Sequence, residues 1–311
     1  MKITLCFLLL FSCNLVGAQT SEEYFEKAKT AVENKNYKNA LNLINKALEL
    51  DAFNAELYDM KAYTFAELKE YQKSYDTYSK AILLFPKEAF LYNNRANFLL
   101  TIQEVELAIE DYTKSIELTE DEKKKAGLLS NRAGAKARVR DFEGAYKDLK
   151  EAYAIDSTDL ATLTNIGMVC DEIGRGDETL KYLHKVIEID SLYLPAYVNI
   201  GFKYQILEEH EKAILYFNKA LSIQPDEALG YSNRSFSYYK LGKTRAALRD
   251  IEKSIKLYPG NPYAYKIRAL IFIQEKKISK ACEDLEIAII QGYTQMYGDE
   301  VLELQKEHCR P

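Results

Sequence analysis

Small and apolar residues recur along the chain at a spacing of 34. Counting units from Ser21, Ala55, Ala89, Ala126, Leu160, Leu194, Ala228 and Pro262, position 8 is Ala28, Ala62, Ala96, Ala133, Gly167, Gly201, Ser235 or Ala269. Position 20 is Ala40, Ser74, Ala108, Ala145, Thr179, Ala213, Ala247 or Ala281, and position 27 is Ala47, Ala81, Ser115, Ala152, Val186, Ala220, Ser254 or Ala288. One slip, Lys123-Lys124-Lys125, breaks the register. Larger side chains fall at positions 4, 11 and 24, and positions 15 to 17, as in Lys69-Glu70-Tyr71 and Gly174-Arg175-Gly176, read as turns. The pattern predicts two antiparallel helices per unit: the small columns let them approach, and the larger residues fill the space between. A lone hairpin would leave one apolar face bare. Stacking of neighbours covers it, so an all-α superhelix is expected, with the first helices lining a concave groove. The units are 21–54, 55–88, 89–122, 126–159, 160–193, 194–227, 228–261 and 262–295, and 296–311 is a capping helix.

With Tyr58, Tyr92, Tyr197, Tyr231 and Tyr265 at position 4 and Pro86, Pro225 and Pro259 closing units, the columns resemble the tetratricopeptide repeat family over nearly all of 21–295. Units two, six and seven match best. Unit five departs most, with Gly176 at the usually aromatic position 17 and Thr179 and Val186 in the small columns. The resemblance implies a right-handed α-α solenoid that binds other proteins.

Position 7 holds Arg95, Arg132, Arg234 and Arg268 in four units whose position 23 is Asp111, Asp148, Asp250 and Asp284. Where position 7 is Ile166 or Ile200, position 23 is Tyr182 or Tyr216. Two positions that switch together imply contact across the hairpin. An arginine ladder could bind anions, but a carboxylate partner that changes with each arginine favours structural ion pairs.

Position 6 carries Asn94, Asn131, Asn165, Asn199 and Asn233 in five successive units. Asparagine is a poor helix former, so propensity does not explain the column. Positions 2, 5, 6 and 9 share the face opposite position 8, which should point into the groove. A primary amide offers a donor and an acceptor, matching the backbone of an extended peptide. Similar columns in some tetratricopeptide superhelices hold peptide backbone, which implies the same role here; inheritance of a solvated residue by duplication is the alternative. Phe202, Phe236, Tyr239, Leu270 and Ile273 make the C-terminal part of this face apolar. Its aromatic residues serve either as peptide anchors or as seals against the next helix. The carboxylate clamp of cytosolic chaperone-tail binders is disfavoured, because position 6 is Asn where that clamp needs Arg.

The formal charge of −5, without a basic run, removes the electrostatic term that dominates nucleic-acid affinity. The apolar run Ile3 to Phe11 is too short to span a bilayer and suits the core of a secretory signal. Val16-Gly17-Ala18 predicts cleavage before Gln19, so 1–18 is read as a signal peptide and the protein as periplasmic or secreted. The competing reading takes Leu10-Phe11-Ser12-Cys13 as a loose lipobox, which would make the chain an outer-membrane lipoprotein and give it its only membrane association. Cys170, at position 11, reads as a small hydrophobe. Cys282 lies near the start of its helix and Cys309 at the end of a final one, so antiparallel packing predicts a disulfide in an exported chain. The closing pattern resembles the ends of exported repeat proteins of the Bacteroidetes. His184, His210 and His308 are scattered, which argues against a metal site, a cofactor or an enzyme. The expected function is a protein-interaction scaffold outside the cytoplasm, holding an extended peptide or partner protein in the groove. A structural subunit of an envelope assembly, secretion or carbohydrate-uptake complex is the alternative.

Overall fold

The computed structural model describes residues 19–309; the predicted signal segment and Cys13 lie outside them. The described residues form eighteen helices and no strand. The chain divides after Val139 into two compact units. The first holds α1 (Ser21–Glu33), α2 (Tyr37–Leu50), α3 (Ala55–Glu67), α4 (Tyr71–Leu84), α5 (Ala89–Thr101), α6 (Val105–Leu118) and α7 (Glu122–Arg138). The second holds α8 (Phe142–Ile155), α9 (Leu160–Glu172), α10 (Gly176–Ile189), α11 (Leu194–Ile206), α12 (His210–Ile223), α13 (Ala228–Lys240), α14 (Thr244–Leu257), α15 (Pro262–Gln274), α16 (Ile278–Ile290), α17 (Tyr293–Tyr297) and α18 (Glu300–His308). Within each unit consecutive helices pack side by side. The Lys123-Lys124-Lys125 slip falls in the first turn of α7 and lengthens that helix to 17 residues. In place of the single capping helix that the sequence suggests there are two, because Gly292 and Gly298 both take positive φ, at 87° and 83°, on either side of the short α17.

Every residue of columns 8, 20 and 27 is buried. Against them lies a buried larger side chain at position 24: Ile44, Tyr78, Tyr112, Leu149, Leu183, Phe217, Ile251 or Leu285. The fit is tightest in α11, where a Cβ on Gly201 would sit 2.6 Å from the Phe217 ring. Serine is tolerated in these columns because its hydroxyl finds a carbonyl. Ser74 donates to the Ala62 carbonyl and Ser235 to that of Ala247, each at 2.8 Å.

Each first helix ends at position 15 in a left-handed residue, Lys35, Lys69, Gln103, Arg140, Gly174, Glu208, Gly242 or Lys276, with φ between 56° and 73°. At the first helix of unit two, the Lys69 amide donates to the Ala66 carbonyl and the Glu70 amide to that of Phe65, both at 2.9 Å. This Schellman closure satisfies carbonyls that the helix end leaves open, which offsets the cost of a side chain at positive φ.

Three of the position 7 arginines bind their aspartates bidentately. The Nε and Nη2 distances are 2.6 and 2.7 Å for Arg95–Asp111, 2.6 and 2.9 Å for Arg234–Asp250, and 2.8 and 2.7 Å for Arg268–Asp284. Of the fourth pair, Arg132 belongs to the first unit and Asp148 is buried in the second. The structure adds a third member, position 25 of the preceding hairpin. Arg95 Nη1 donates to Ser79 Oγ at 3.3 Å, Arg132 Nη1 to Thr113 Oγ1 at 3.1 Å, and Arg234 Nη1 to Asn218 Oδ1 at 2.7 Å. In unit two Lys61 Nζ takes the same role, donating to Asn45 Oδ1 at 2.7 Å. Where position 7 is isoleucine the chemistry inverts: Lys150 donates to the Tyr182 hydroxyl at 3.0 Å, and the His184 ring lies 5.9 Å from that of Tyr216.

At the C-terminus, Tyr293 and Val301 cover Leu285 and Ala288 of α16. Lys266 pairs with Glu300 at 2.8 Å, the Tyr293 hydroxyl donates to the same carboxylate at 3.0 Å, and Cys282 and Cys309 are joined with their Cα atoms 5.7 Å apart.

Two substitutions test this packing by urea denaturation. Gly201→Ala destabilises the second unit by about 1–3 kcal/mol through overpacking against Phe217, despite alanine's better helix propensity; a more stable variant would contradict the close approach. Arg234→Ala leaves the buried Asp250 uncompensated and costs about 3 kcal/mol; an unchanged midpoint would contradict a structural role for the pair.

Candidate functional site

Within each unit the first helices lie next to one another, α1, α3 and α5 in the first unit and α9, α11, α13 and α15 in the second. Their asparagines have two fates. Asn94 is engaged: its Nδ2 donates to Asp59 Oδ1 at 2.9 Å, and its Oδ1 accepts from Asn93 Nδ2 at 2.9 Å. Asn131 is exposed, and Asn165, Asn199 and Asn233 are half-buried; among the described residues none of these four side chains makes a hydrogen bond to the protein. The second unit therefore presents three uncommitted amides on the adjacent helices α9, α11 and α13. Asn94 is the exception because position 5 of the hairpin before it is a carboxylate.

The aromatic residues also divide. Phe202 is 52% exposed and borders a cleft of about 160 Å³ with Asn199, Met168 and Ile206, the last two each 55% exposed. Phe236 meets His210 edge-on at 6.1 Å and Tyr239 at 6.4 Å, and both pack on the core around Ala247 and Ile251. Leu270 joins the same packing, and Ile273 the core beside α16. Phe202 is thus free to act as an anchor, whereas Phe236 and Tyr239 seal neighbouring helices.

Beneath this face are contacts that no column in the sequence marks. Lys203 is buried in an ion pair with Asp171, and Gln205 Nε2 donates to the Asn233 carbonyl at 2.6 Å and to Ser237 Oγ at 2.8 Å. They fix α11 against its neighbours, so the open amides stand on a stiff support.

In the first unit, a cleft of about 530 Å³ lies along α3 and α5, with Asp59, Tyr63, Glu67, Tyr78 and Asn94 on its walls. Burial raises the Asp59 carboxyl above the usual carboxylate range, opposed by the Asn94 hydrogen bond. Burial also raises the Tyr78 hydroxyl, with the Asp59 charge adding to the effect. Asn131 lies on a second cleft of about 560 Å³, with Asn93 and Phe90. Cys170 is buried, and burial pushes its thiol up to about 11, away from any nucleophilic role near neutral pH. The histidines stay apart, His184 against Tyr216, His210 against Phe236 and His308 beside Glu307.

Models of the tetratricopeptide repeat match residues 22–54, 55–88, 91–122, 195–227 and 237–293. Among solved structures, the chain is similar to the Cut9-Hcn1 hetero-tetramer of the APC/C, with a TM-score of 0.62 and 19% identity over 91% of this chain and 55% of that one. It therefore spans little more than half the length of that relative. It is also similar to a tetratricopeptide repeat protein from Parabacteroides merdae, with a TM-score of 0.56 and 17% identity over 93% of this chain and 100% of that one. A third similar structure is pilF of Pseudomonas aeruginosa, with a TM-score of 0.55 and 18% identity over 69% and 96%. At these identities the likeness is one of fold. No curated protein matches the chain. The matched ranges cover more than half of the sequence and fall on the hairpins whose packing is described above: the chain belongs to the tetratricopeptide repeat family.

Proposed function

We propose that the protein is a binding scaffold, not an enzyme, which works outside the cytoplasm and holds an extended peptide segment of a partner along the first-helix face of its second unit. Membership of the repeat family supports an interaction scaffold in general. The observation that carries the finer reading is the row of uncommitted amides, Asn165, Asn199 and Asn233, on three adjacent helices. Neighbouring helices stand about 10 Å apart and an extended chain rises about 3.3 Å per residue, so successive amides meet every third peptide unit. Each amide can then accept from one backbone N–H and donate to one carbonyl, which favours extended backbone over any particular sequence. Phe202, exposed beside Asn199, offers apolar surface for one side chain of the peptide. Export is supported by the segment 1–18 and by the closing cysteine pair, which an oxidising compartment preserves.

Changing Asn165, Asn199 and Asn233 together to alanine is expected to weaken binding to an array of extended peptides at least tenfold without lowering the melting temperature, since alanine is the better helix former. Undiminished binding, or assembly into an envelope complex that ignores the substitutions, would favour the structural-subunit reading. Export makes a separate prediction. Protein recovered without reductant and then unfolded should show one free thiol, Cys170, in the chain from Gln19 onward. Reaction at Cys282 and Cys309 as well would contradict an oxidised pair.

A further inference from the structure

The buried aspartates of the hairpins, Asp111, Asp250 and Asp284, each carry a bidentate arginine. Asp59 does not. It sits half-buried on α3, accepts from Asn94 at 2.9 Å, faces the Tyr78 hydroxyl, and has no cation within ion-pair distance among the described residues. The charged group acting on it is Glu56, which is also acidic. A carboxylate withdrawn from water without a cation is held at a cost unless something supplies the charge.

Asp59 opens onto the first-unit cleft of about 530 Å³. Asp59, Tyr63 and Glu67 are four residues apart on α3 and so form one stripe. Tyr63 and Tyr71 border the cleft at 45% and 41% exposure. Elsewhere in this unit the chain's own cations cover aromatic faces, as Lys80 covers Tyr58 at 5.2 Å and Arg95 covers Tyr75 at 5.9 Å, whereas Lys69, the cation on the cleft's wall, lies over neither Tyr63 nor Tyr71. Glu67 is held at the far end of the stripe by the Tyr37 hydroxyl at 2.8 Å. The two carboxylates are eight residues apart, about 12 Å along the helix, too far to share a metal ion. That spacing suits a cation carried on a long side chain, which would cross the tyrosine faces and end at Asp59.

We propose that this cleft binds a lysine or arginine side chain of a peptide segment held at the first unit, with Asp59 as the counter-charge and Tyr63 and Tyr71 as its aromatic walls. The inference rests on the peptide-scaffold reading for its ligand class, and its test uses a single blocked residue that does not engage the asparagine row. N-acetyl-arginine methylamide is titrated into the full chain from Gln19 onward, and the resonances of Tyr63 and Tyr71 are followed by NMR. N-acetyl-citrulline methylamide, the neutral isostere, serves as the comparison. Saturable shifts are expected with the arginine compound, with at least fivefold weaker binding for citrulline. Asp59→Asn should abolish that difference, and Glu67→Gln, on the rim, should reduce it. Should Asp59→Asn lower the melting temperature, Tyr63→Leu replaces it, and it too should erase the preference. Equal binding of the two compounds, or no saturable shift with the arginine compound, overturns the proposal and leaves the amide row to be judged by its own test. Loss of binding in the asparagine triple variant's peptide array has no bearing on this titration, so the two readings fail separately.

Discussion

The architecture depends on how closely the two helices of a hairpin approach. Columns 8, 20 and 27 hold only Ala, Gly, Ser, Thr or Val, and each hairpin sets one larger buried residue at position 24 against them. Close packing makes this a matter of volume: Gly201 lacks a Cβ where the Phe217 ring lies against it, and Gly167 where Leu183 does. From that approach follow the left-handed closure at position 15 and the regular presentation of one face by every first helix.

Contact within a hairpin does not fix how one hairpin sits on the next. That task falls to the polar set formed by positions 7 and 23 and position 25 of the hairpin before. An arginine satisfied twice by an aspartate and once by the preceding Ser79 or Asn218, as Arg95 and Arg234 are, has few free donors left for an anionic ligand, which gives these arginines a structural role. The set tolerates inversion: with Ile166 and Tyr182, or Ile200 and Tyr216, the preceding position supplies Lys150 or His184. Complementarity, not a particular residue, is what the joint requires.

The chain's repeat period, its small columns and the Arg–Asp switch were legible in the sequence because each depends on residues at fixed spacing in one hairpin. Position 25 was visible in the same frame, but its meaning needed the contact between hairpins. The five asparagines look alike in the sequence. Asn94 differs through Asp59 at position 5 of the hairpin before it, where Asn131, Asn165, Asn199 and Asn233 follow Asn93, Ser130, Thr164 and Val198. Phe202 and Phe236 share position 9, yet one is open and the other is covered, because Phe236 has His210 of the preceding hairpin and Tyr239 of its own helix against it. Helix α17 has no periodic signal, being five residues between two glycines at positive φ.

Under the proposed function, uncommitted side-chain amides on adjacent first helices hold peptide backbone. The most direct measurement is the NMR response of the side-chain NH₂ groups when a neutral extended peptide is added. The amides of Asn165, Asn199 and Asn233 are expected to shift together and saturate at one concentration while that of Asn94, already bonded to Asp59, stays in place. Shifts confined to second-helix residues, or an asparagine row that does not respond to bound peptide, would contradict it.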